Sequence, residues 1–323
     1  MGVTSMKILI TDKMAEEAIK ALEDAGHNVT FDEMDHDTLL NSIADYDALM
    51  VRSRTKATED IVQKGADGSL KVIGRAGIGV DNIDIKKAGK VGIKVVNAPT
   101  GATISVAELA IAHMLSLSRH LTKADKSMKE GEWIKKQLKG TELHDKTLGL
   151  VGCGNIGQKT AELAQVFGMN VIGFDPFISK EDLAKKDIEK KEKIEQVMEL
   201  SDIISLHLPH TEKTHYIIDK KMLSKMKNSA FLINCARGGT VDESALYDAL
   251  KNEVIAGAAL DVFEEEPPKD TKLTSLDNIV FSPHLGANTK EGQIRAGTVC
   301  AEQVMKVLND ETPDHWVNKA HMN

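Results

Sequence analysis

The sequence predicts an α/β protein of two doubly wound parallel-sheet units, the second inserted into the first. Three observations point there. Short β-branched or apolar runs alternate with amphipathic stretches along the chain, the βαβ rhythm of a parallel sheet covered by helices. The 323 residues suit two domains. The rhythm breaks once, at a long apolar helical stretch over 97–121, and then restarts.

Taken in order, "KILIT" (7–11) reads as a strand, and "AEEAIKALEDAG" as a helix with an apolar stripe and a stop at Gly26. "NVTF", "DALMV", "LKVIG" and "IKVVN" follow as strands, with helical patterns between most of them. "NAPTGATISVAELAIAHMLSLSRHL" opens on a turn at Pro99-Thr100-Gly101. Its apolar residues cover too much of the circumference for one ordinary buried face, which predicts packing between domains or subunits. The second unit then runs through "KTLGLVG", "NVIGFD", "DIISLHL", "AFLINCA", "VIAGAALDV" and "NIVFSPH". A last helical pattern, from Thr289 to Leu308, is expected to cross back to the first unit.

Composition narrows the function. Hydrophobic residues at 41% and charged residues at 28% are a soluble globular balance. A net charge of -8, with lysine runs interleaved with acids, argues against a nucleic-acid partner. Cys153, Cys235 and Cys300 give neither a disulfide framework nor metal-type spacing, so no metal is expected. The N-terminus shows no signal peptide, and Gly2 sits in a poor myristoylation context. No apolar run reaches the ~18 residues of a membrane span. A cytoplasmic protein without a membrane partner is the expectation.

Gly152, Gly154 and Gly157 form G-x-G-x-x-G between the strand "TLGLV" and the helix "QKTAELAQVFG". The first glycine allows a tight turn, the second lets backbone approach a pyrophosphate, and the third permits close helix–strand packing. The helix N-terminus offers N–H groups to phosphate. Asp175 closes the next strand, where a carboxylate accepts from ribose hydroxyls and repels a 2′-phosphate. No Arg follows immediately, so the expected cofactor is NAD. A bare βα turn and an Asp-Pro turn are the structural alternatives.

Three further residues stand at strand ends. Arg237 lies just beyond "FLINCA" with two glycines after it, and offers a planar fork for a carboxylate. Glu266 ends "DVFEEE" ahead of Pro267-Pro268, and His284 sits between Pro283 and Gly286. A hydride leaves a secondary alcohol only if the hydroxyl proton is also removed, and His is the usual base at neutral pH. A carboxylate on the far ring nitrogen would fix the tautomer. Singly, each residue has a bland alternative: a strand-end His is more often structural, Arg237 reads as the top of a glycine turn, and Glu264 and Glu265 read as solvated loop charges. Their joint occurrence at three strand ends behind the glycine motif carries the assignment.

With "VRSRT", "GRAGIGVDNID" and "NAPTGATISVAEL" upstream, and "VGCGNIG…FDP", "NCARGG", "DVFEEEP" and "SPHLG" downstream, the chain resembles the D-isomer-specific 2-hydroxyacid dehydrogenase family over nearly its whole length. The resemblance implies a flavodoxin-like substrate-binding domain at 1–100 and 285–323, interrupted by a Rossmann NAD-binding domain at 101–284 that includes the bridging helix. It implies Arg237, Glu266 and His284 as the catalytic set, with His284 as acid/base and Glu266 as its partner. It implies cofactor contacts from Asn155, Ile156, Asp175, His207, Pro209, Cys235, Asp261 and Gly286, beside the three glycines. Substrate would lie in the cleft between the domains, its carboxylate on backbone N–H groups around Gly77, Ile78 and Gly79.

Arg52, Ser53 and Arg54 follow the strand "DALMV" and could dock an anionic tail, so the expected substrate is a small phosphorylated 2-hydroxy acid. Lys135 and Lys136, after Trp133, would add positive charge from a neighbouring subunit, since the family's arm arrangement implies a homodimer or homotetramer through 101–140. A solvated loop is their alternative reading. Ala102 departs from the pattern: family members acting on phosphoglycerate commonly carry Asn there. The regulatory domain that many members carry, and feedback by serine through it, is not expected in these 323 residues. The competing functions are turnover of an unphosphorylated acid and dinucleotide sensing by a corepressor.

Overall fold

Strand β1 (Lys7–Ile10) buries Ile8 and Ile10 on one face of its sheet and Leu9 on the other. Successive side chains of a strand point to opposite faces, so a strand apolar on both must be covered on both. The structure, a computed structural model, describes residues 5–269 and 272–322; Gly2 lies outside them.

From β1 the chain runs through α1 (Glu16–Asp24), β2 (Asn28–Phe31), α2 (His36–Ser42), β3 (Ala48–Val51), α3 (Glu59–Ala66), β4 (Val72–Arg75), α4 (Ile85–Lys90) and β5 (Lys94–Asn97). Helices α5 (Thr103–Arg119) and α6 (Leu121–Lys129) follow. Next come β6 (Thr147–Val151), α7 (Asn155–Val166), β7 (Asn170–Phe174), α8 (Lys180–Ala184), β8 (Ile188–Lys190), α9 (Ile194–Leu200) and β9 (Ile203–Leu206). The run closes with α10 (Lys220–Leu223), β10 (Phe231–Asn234), α11 (Glu243–Lys251), β11 (Gly257–Leu260), β12 (Ile279–Phe281) and α12 (Lys290–Leu308). Two compact units result: 1–103 with 287–323, and 104–286.

In the first unit five parallel strands stand in the order β2-β1-β3-β4-β5, the flavodoxin-like order. Ala18 and Leu22 of α1, with Cys300, Ala301 and Val304 of α12, cover the face of Ile8, Ile10, Met50 and Val72. Leu39, Ile61, Val62 and Ala88, from α2, α3 and α4, cover the face of Leu9, Leu49, Val51, Ile73 and Val95.

The second unit holds seven parallel strands in the order β12-β11-β10-β9-β6-β7-β8. This is the Rossmann pattern, reversing direction between β6 and β9. Strand β8 has no counterpart in the sequence reading. It is an edge strand of three residues, of which only Ile188 is buried, too short to show a period. Helix α7 starts earlier than its apolar stripe, which places Gly157 inside its first turn.

Candidate active site

In open α/β sheets, ligands bind beyond the carboxyl ends of the strands where the order reverses. In the second unit that point lies between β6 and β9. Gly152 leaves β6 with φ +91°, and a Cβ there would stand 2.3 Å from the carbonyl oxygen of His207, so the loops after β6 and β9 meet backbone to backbone. A Cβ on Gly157 would stand 2.4 Å from the carbonyl oxygen of Gly152. Gly154 differs: a Cβ there would meet nothing within 4 Å. Gly154 is also the N-cap of α7 and supplies no side chain to its first turn. The N–H groups of Asn155 and Ile156 stand at the positive end of this helix and have no backbone partner among the described residues.

Asp175, at the end of β7, accepts from the Cys153 N–H at 2.8 Å through one oxygen and from the Phe177 N–H at 2.8 Å through the other. A carboxylate has about four acceptor positions, so each oxygen keeps capacity for a hydroxyl. His207 bonds Ser205 Oγ through Nε2 at 2.9 Å. Its Nδ1 is buried and has no partner among the described residues. Burial pushes its pKa down to about 4, so the ring is neutral. Open space over Gly154, free N–H groups on α7, a strand-end carboxylate and an orphaned imidazole nitrogen fit a dinucleotide. Cys153 and Cys235 add shape without charge, since burial raises both thiols, Cys153 to about 12. Pro209 is exposed, and its carbonyl accepts from Thr214 Oγ1 at 2.6 Å.

The remaining strand ends carry groups that handle protons and anions. Asn234 closes β10 and shapes the turn after it, donating to the Arg237 carbonyl at 3.0 Å and accepting from the Ala236 N–H at 3.0 Å. Arg237 is half-buried, and its Nη1 donates to the Ala236 carbonyl at 2.7 Å. A Cβ on Gly238 would overlap the Phe263 carbonyl, at 1.7 Å. The Arg237 turn therefore lies directly against the loop that carries Glu266. Glu266 accepts from the Phe263 N–H through Oε1 at 3.1 Å and meets His284 Nδ1 through Oε2 at 2.7 Å. His284 has φ +52°, a left-handed conformation uncommon outside glycine. Its N–H donates to the Asp261 carbonyl at 2.8 Å, and its Nε2 has no partner among the described residues. Asp261 is buried at the end of β11 and accepts from Ser282 Oγ at 2.6 Å, the Leu285 N–H at 2.7 Å and the Gly286 N–H at 2.9 Å. Glu264 is exposed, as the sequence predicts for a solvated loop charge, and also accepts from the Tyr216 hydroxyl at 3.0 Å and the Glu243 N–H at 3.2 Å.

In the first unit, Arg52, Ser53 and Arg54 follow β3, beside β1, where that sheet also reverses. Buried Asp12 holds them. It accepts from the Arg52 N–H at 2.5 Å, from Thr55 Oγ1 at 2.7 Å and from Arg54 Nε at 3.2 Å. Arg54 also donates to the carbonyls of Met34 and Thr11, so its fork is committed to its own unit. Arg52 donates Nη1 to the Lys13 carbonyl at 3.1 Å, and its Nε and Nη2 keep no partner among the described residues. Ser53 is exposed. The Gly77 N–H donates to the Arg75 carbonyl at 2.8 Å, and the N–H groups of Ile78 and Gly79 have no backbone partner among the described residues.

The sequence reading missed Asp12, Ser282 and His113. Asp12 had a signal, since it follows the first strand as Asp175 follows its own. His113 had none: it lies in a helix that reads as apolar throughout.

The fold and these strand ends are of the kind found in nicotinamide-dependent α/β dehydrogenases. Residues 111–286 match the sequence model of the "D-isomer specific 2-hydroxyacid dehydrogenase, NAD binding domain", and the chain belongs to that family. NAD is the cofactor of the matched domain. The chain is 50% identical over 313 residues to D-3-phosphoglycerate dehydrogenase of Methanocaldococcus jannaschii, covering 97% of itself and 59% of that longer protein. It is 45% identical over 306 residues to hydroxypyruvate reductase of Thermotoga maritima, covering 94% of itself and 98% of that protein. A glyoxylate reductase from Paecilomyes thermophila superposes with a TM-score of 0.88 at 26% identity, over 97% of this chain and 98% of the other.

Proposed function

We propose that the chain oxidises D-3-phosphoglycerate to 3-phosphohydroxypyruvate with NAD, the first step of L-serine synthesis. The observation that carries this reading is the 2.7 Å contact of Glu266 with His284 at the strand ends of an NAD-binding domain. When bound, NAD supplies the hydride acceptor. His284 Nε2 takes the hydroxyl proton, while Glu266 on Nδ1 sets the tautomer and stabilises the imidazolium. Arg237 holds the substrate carboxylate and, in the reverse direction, polarises the carbonyl oxygen. Gly152, Gly154, Asn155, Ile156 and Gly157 hold the pyrophosphate, and Asp175 the ribose hydroxyls. His207, Pro209, Cys235, Asp261 and Gly286 complete the cofactor contacts. The segments 1–100 and 285–323 form the substrate domain. Ile78 and Gly79 offer N–H groups to the carboxylate, and Arg52 and Ser53 offer donors to the phosphate.

A second reading, reduction of an unphosphorylated 2-oxo acid, is favoured by Ala102. That residue is 2% exposed and offers no polar group. Self-association through 101–140 belongs to the proposal as well, supported by exposed Leu121, Met128 and Trp133. So does a cytoplasmic setting. Among the described residues no helix is long and apolar enough to cross a membrane.

The test is NADH formation at 340 nm with D-3-phosphoglycerate, D-glycerate and D-lactate in parallel, and the reverse reaction with the matching 2-oxo acids. A preference for the phosphorylated pair is expected. Turnover of unphosphorylated acids only would establish the second reading. Tight NADH binding without any turnover would point to dinucleotide sensing.

A further inference from the structure

A buried polar side chain in an apolar helix needs a partner, and the partner reveals its use. His113 is 4% exposed, on a helix whose other buried residues are mostly apolar. Its Nε2 lies 2.9 Å from Ser282 Oγ. Ser282 Oγ donates to Asp261 Oδ1 at 2.6 Å, so its one proton is already placed and His113 Nε2 must be the donor. Burial holds the His113 pKa below its ordinary value, against a smaller opposing pull from Asp261, which leaves a neutral ring with one N–H. The chain of contacts therefore runs from His113 through Ser282 to Asp261.

Asp261 is the clamp of the segment that carries His284. Its side chain takes the N–H groups of Leu285 and Gly286, and its carbonyl takes the N–H of His284. Val106 lies seven residues before His113, on the same face of α5. A Cβ built on Gly286 would be 3.2 Å from its Cγ2. One helix face thus supports both ends of the segment 282–286, between which His284 is held at φ +52°.

We propose that His113 is a positioning residue for the proton-transferring His284. Its N–H fixes the Ser282 hydroxyl, the hydroxyl fixes the Asp261 carboxylate, and the carboxylate fixes the two amides that flank His284 on its C-terminal side. Neither His113 nor Ser282 touches the reacting atoms. The catalytic consequence rests on the proposed role of His284; the structural consequence does not.

The experiment compares His113→Leu, His113→Gln, Ser282→Ala and the double variant His113→Leu/Ser282→Ala. Two readouts are used: amide hydrogen exchange across 282–288, and steady-state turnover with NAD. Exchange at Leu285 and Gly286 should quicken about tenfold in His113→Leu and Ser282→Ala, as a locally loosened segment requires. It should stay near the wild-type rate in His113→Gln, whose amide keeps a donor. kcat should fall about 10- to 100-fold in the two disrupted variants, as a catalytic group displaced by about 1 Å requires. The NADH Kd should rise less than kcat falls, by no more than about tenfold, since Asp261 and Gly286 are loosened while the proposed pyrophosphate contacts on α7 are left intact. The double variant should match Ser282→Ala, because one path is cut once.

Unchanged exchange and kcat in folded His113→Leu would overturn the proposal. So would a His113→Gln variant as impaired as His113→Leu, or faster exchange spread evenly along α5, which is plain destabilisation. If wild-type protein turns over no 2-hydroxy acid, the functional reading fails, and the exchange comparison still decides the positioning role.

Discussion

Replacing Gly154 with Ala separates the cofactor role of the glycine turn from its structural role. Gly154 has φ -68° and ψ -164°, a conformation open to any residue, and its Cβ would meet nothing within 4 Å. Removing glycine there gains about 0.4–1 kcal/mol by restricting the unfolded chain. Exchanging a glycine N-cap for alanine costs a similar amount. The net change is within about 0.5 kcal/mol, so Tm of the cofactor-free protein should move by no more than about 2 °C. The methyl group fills the space assigned to the pyrophosphate, and overpacking of that kind costs about 1–3 kcal/mol. NADH should therefore bind about 5- to 150-fold more weakly. Gly157→Ala is the control. Its Cβ would press on the Gly152 carbonyl at 2.4 Å, backbone that cannot turn aside, so it should lower Tm in the absence of cofactor. Thermal unfolding and a fluorescence titration with NADH measure both. Wild-type NADH affinity in Gly154→Ala would refute the placement of the pyrophosphate. A large fall in its Tm would refute the open space.

Three other outcomes are expected. His284→Ala should lose about 100- to 10,000-fold in kcat while NADH affinity is kept, measured by turnover and titration in parallel; near-normal kcat would remove His284 as the proton carrier. Arg52→Ala should raise KM for a phosphorylated acid far more than for its unphosphorylated analogue. Arg54→Ala should instead lower Tm, because that side chain holds Asp12 and two carbonyls. Equal KM effects of Arg52→Ala on both acids would discredit the phosphate pocket. Stability should also fall as pH drops from 6.5 towards 4. Over that window the unfolded chain binds a proton that half-buried His207, with its pKa lowered to about 4, excludes. The contribution is at most ~3 kcal/mol, read by denaturant unfolding at several pH values as the difference between wild type and His207→Asn. His27 and His113 are shifted the same way by burial and add the same sign.

The fold was legible because its strands are apolar on both faces and bounded by glycine or helical stripes. Leu9 and Ile10 declare a buried parallel strand without any knowledge of their neighbours. Strand β8 was not legible, because an edge strand with one buried residue carries no period. The strand-end positions of Arg237, Glu266 and His284 were legible, and the structure brings Glu266 against His284. What the sequence could not reveal was how each was occupied. Arg52 and Arg54 look equivalent in "VRSRT", yet only long-range contacts with Asp12, Thr11 and Met34 commit one of them. His113 was illegible for the same reason: its partner, Ser282, lies far away in the chain and on a different element.

The acids at strand ends show the distinction most clearly. Asp12, Asp175 and Asp261 each accept backbone N–H groups from the loops they border. A carboxylate bonded in this way is part of the loop's own frame, and its charge is spread over amides that do not move. Glu266 is arranged otherwise. One oxygen takes a single backbone N–H, and the other goes to an imidazole whose far nitrogen has no partner among the described residues. Only that second arrangement passes the effect of a negative charge on to a group able to exchange a proton. The same criterion separates Arg54, each of whose three nitrogens has a partner, from Arg52, whose Nε and Nη2 have none among the described residues. Hydrogen-bonding capacity left unfilled, more than residue type, therefore marks the groups able to act on a ligand, and Asp175, with one N–H on each oxygen, both builds its loop and keeps room for a hydroxyl.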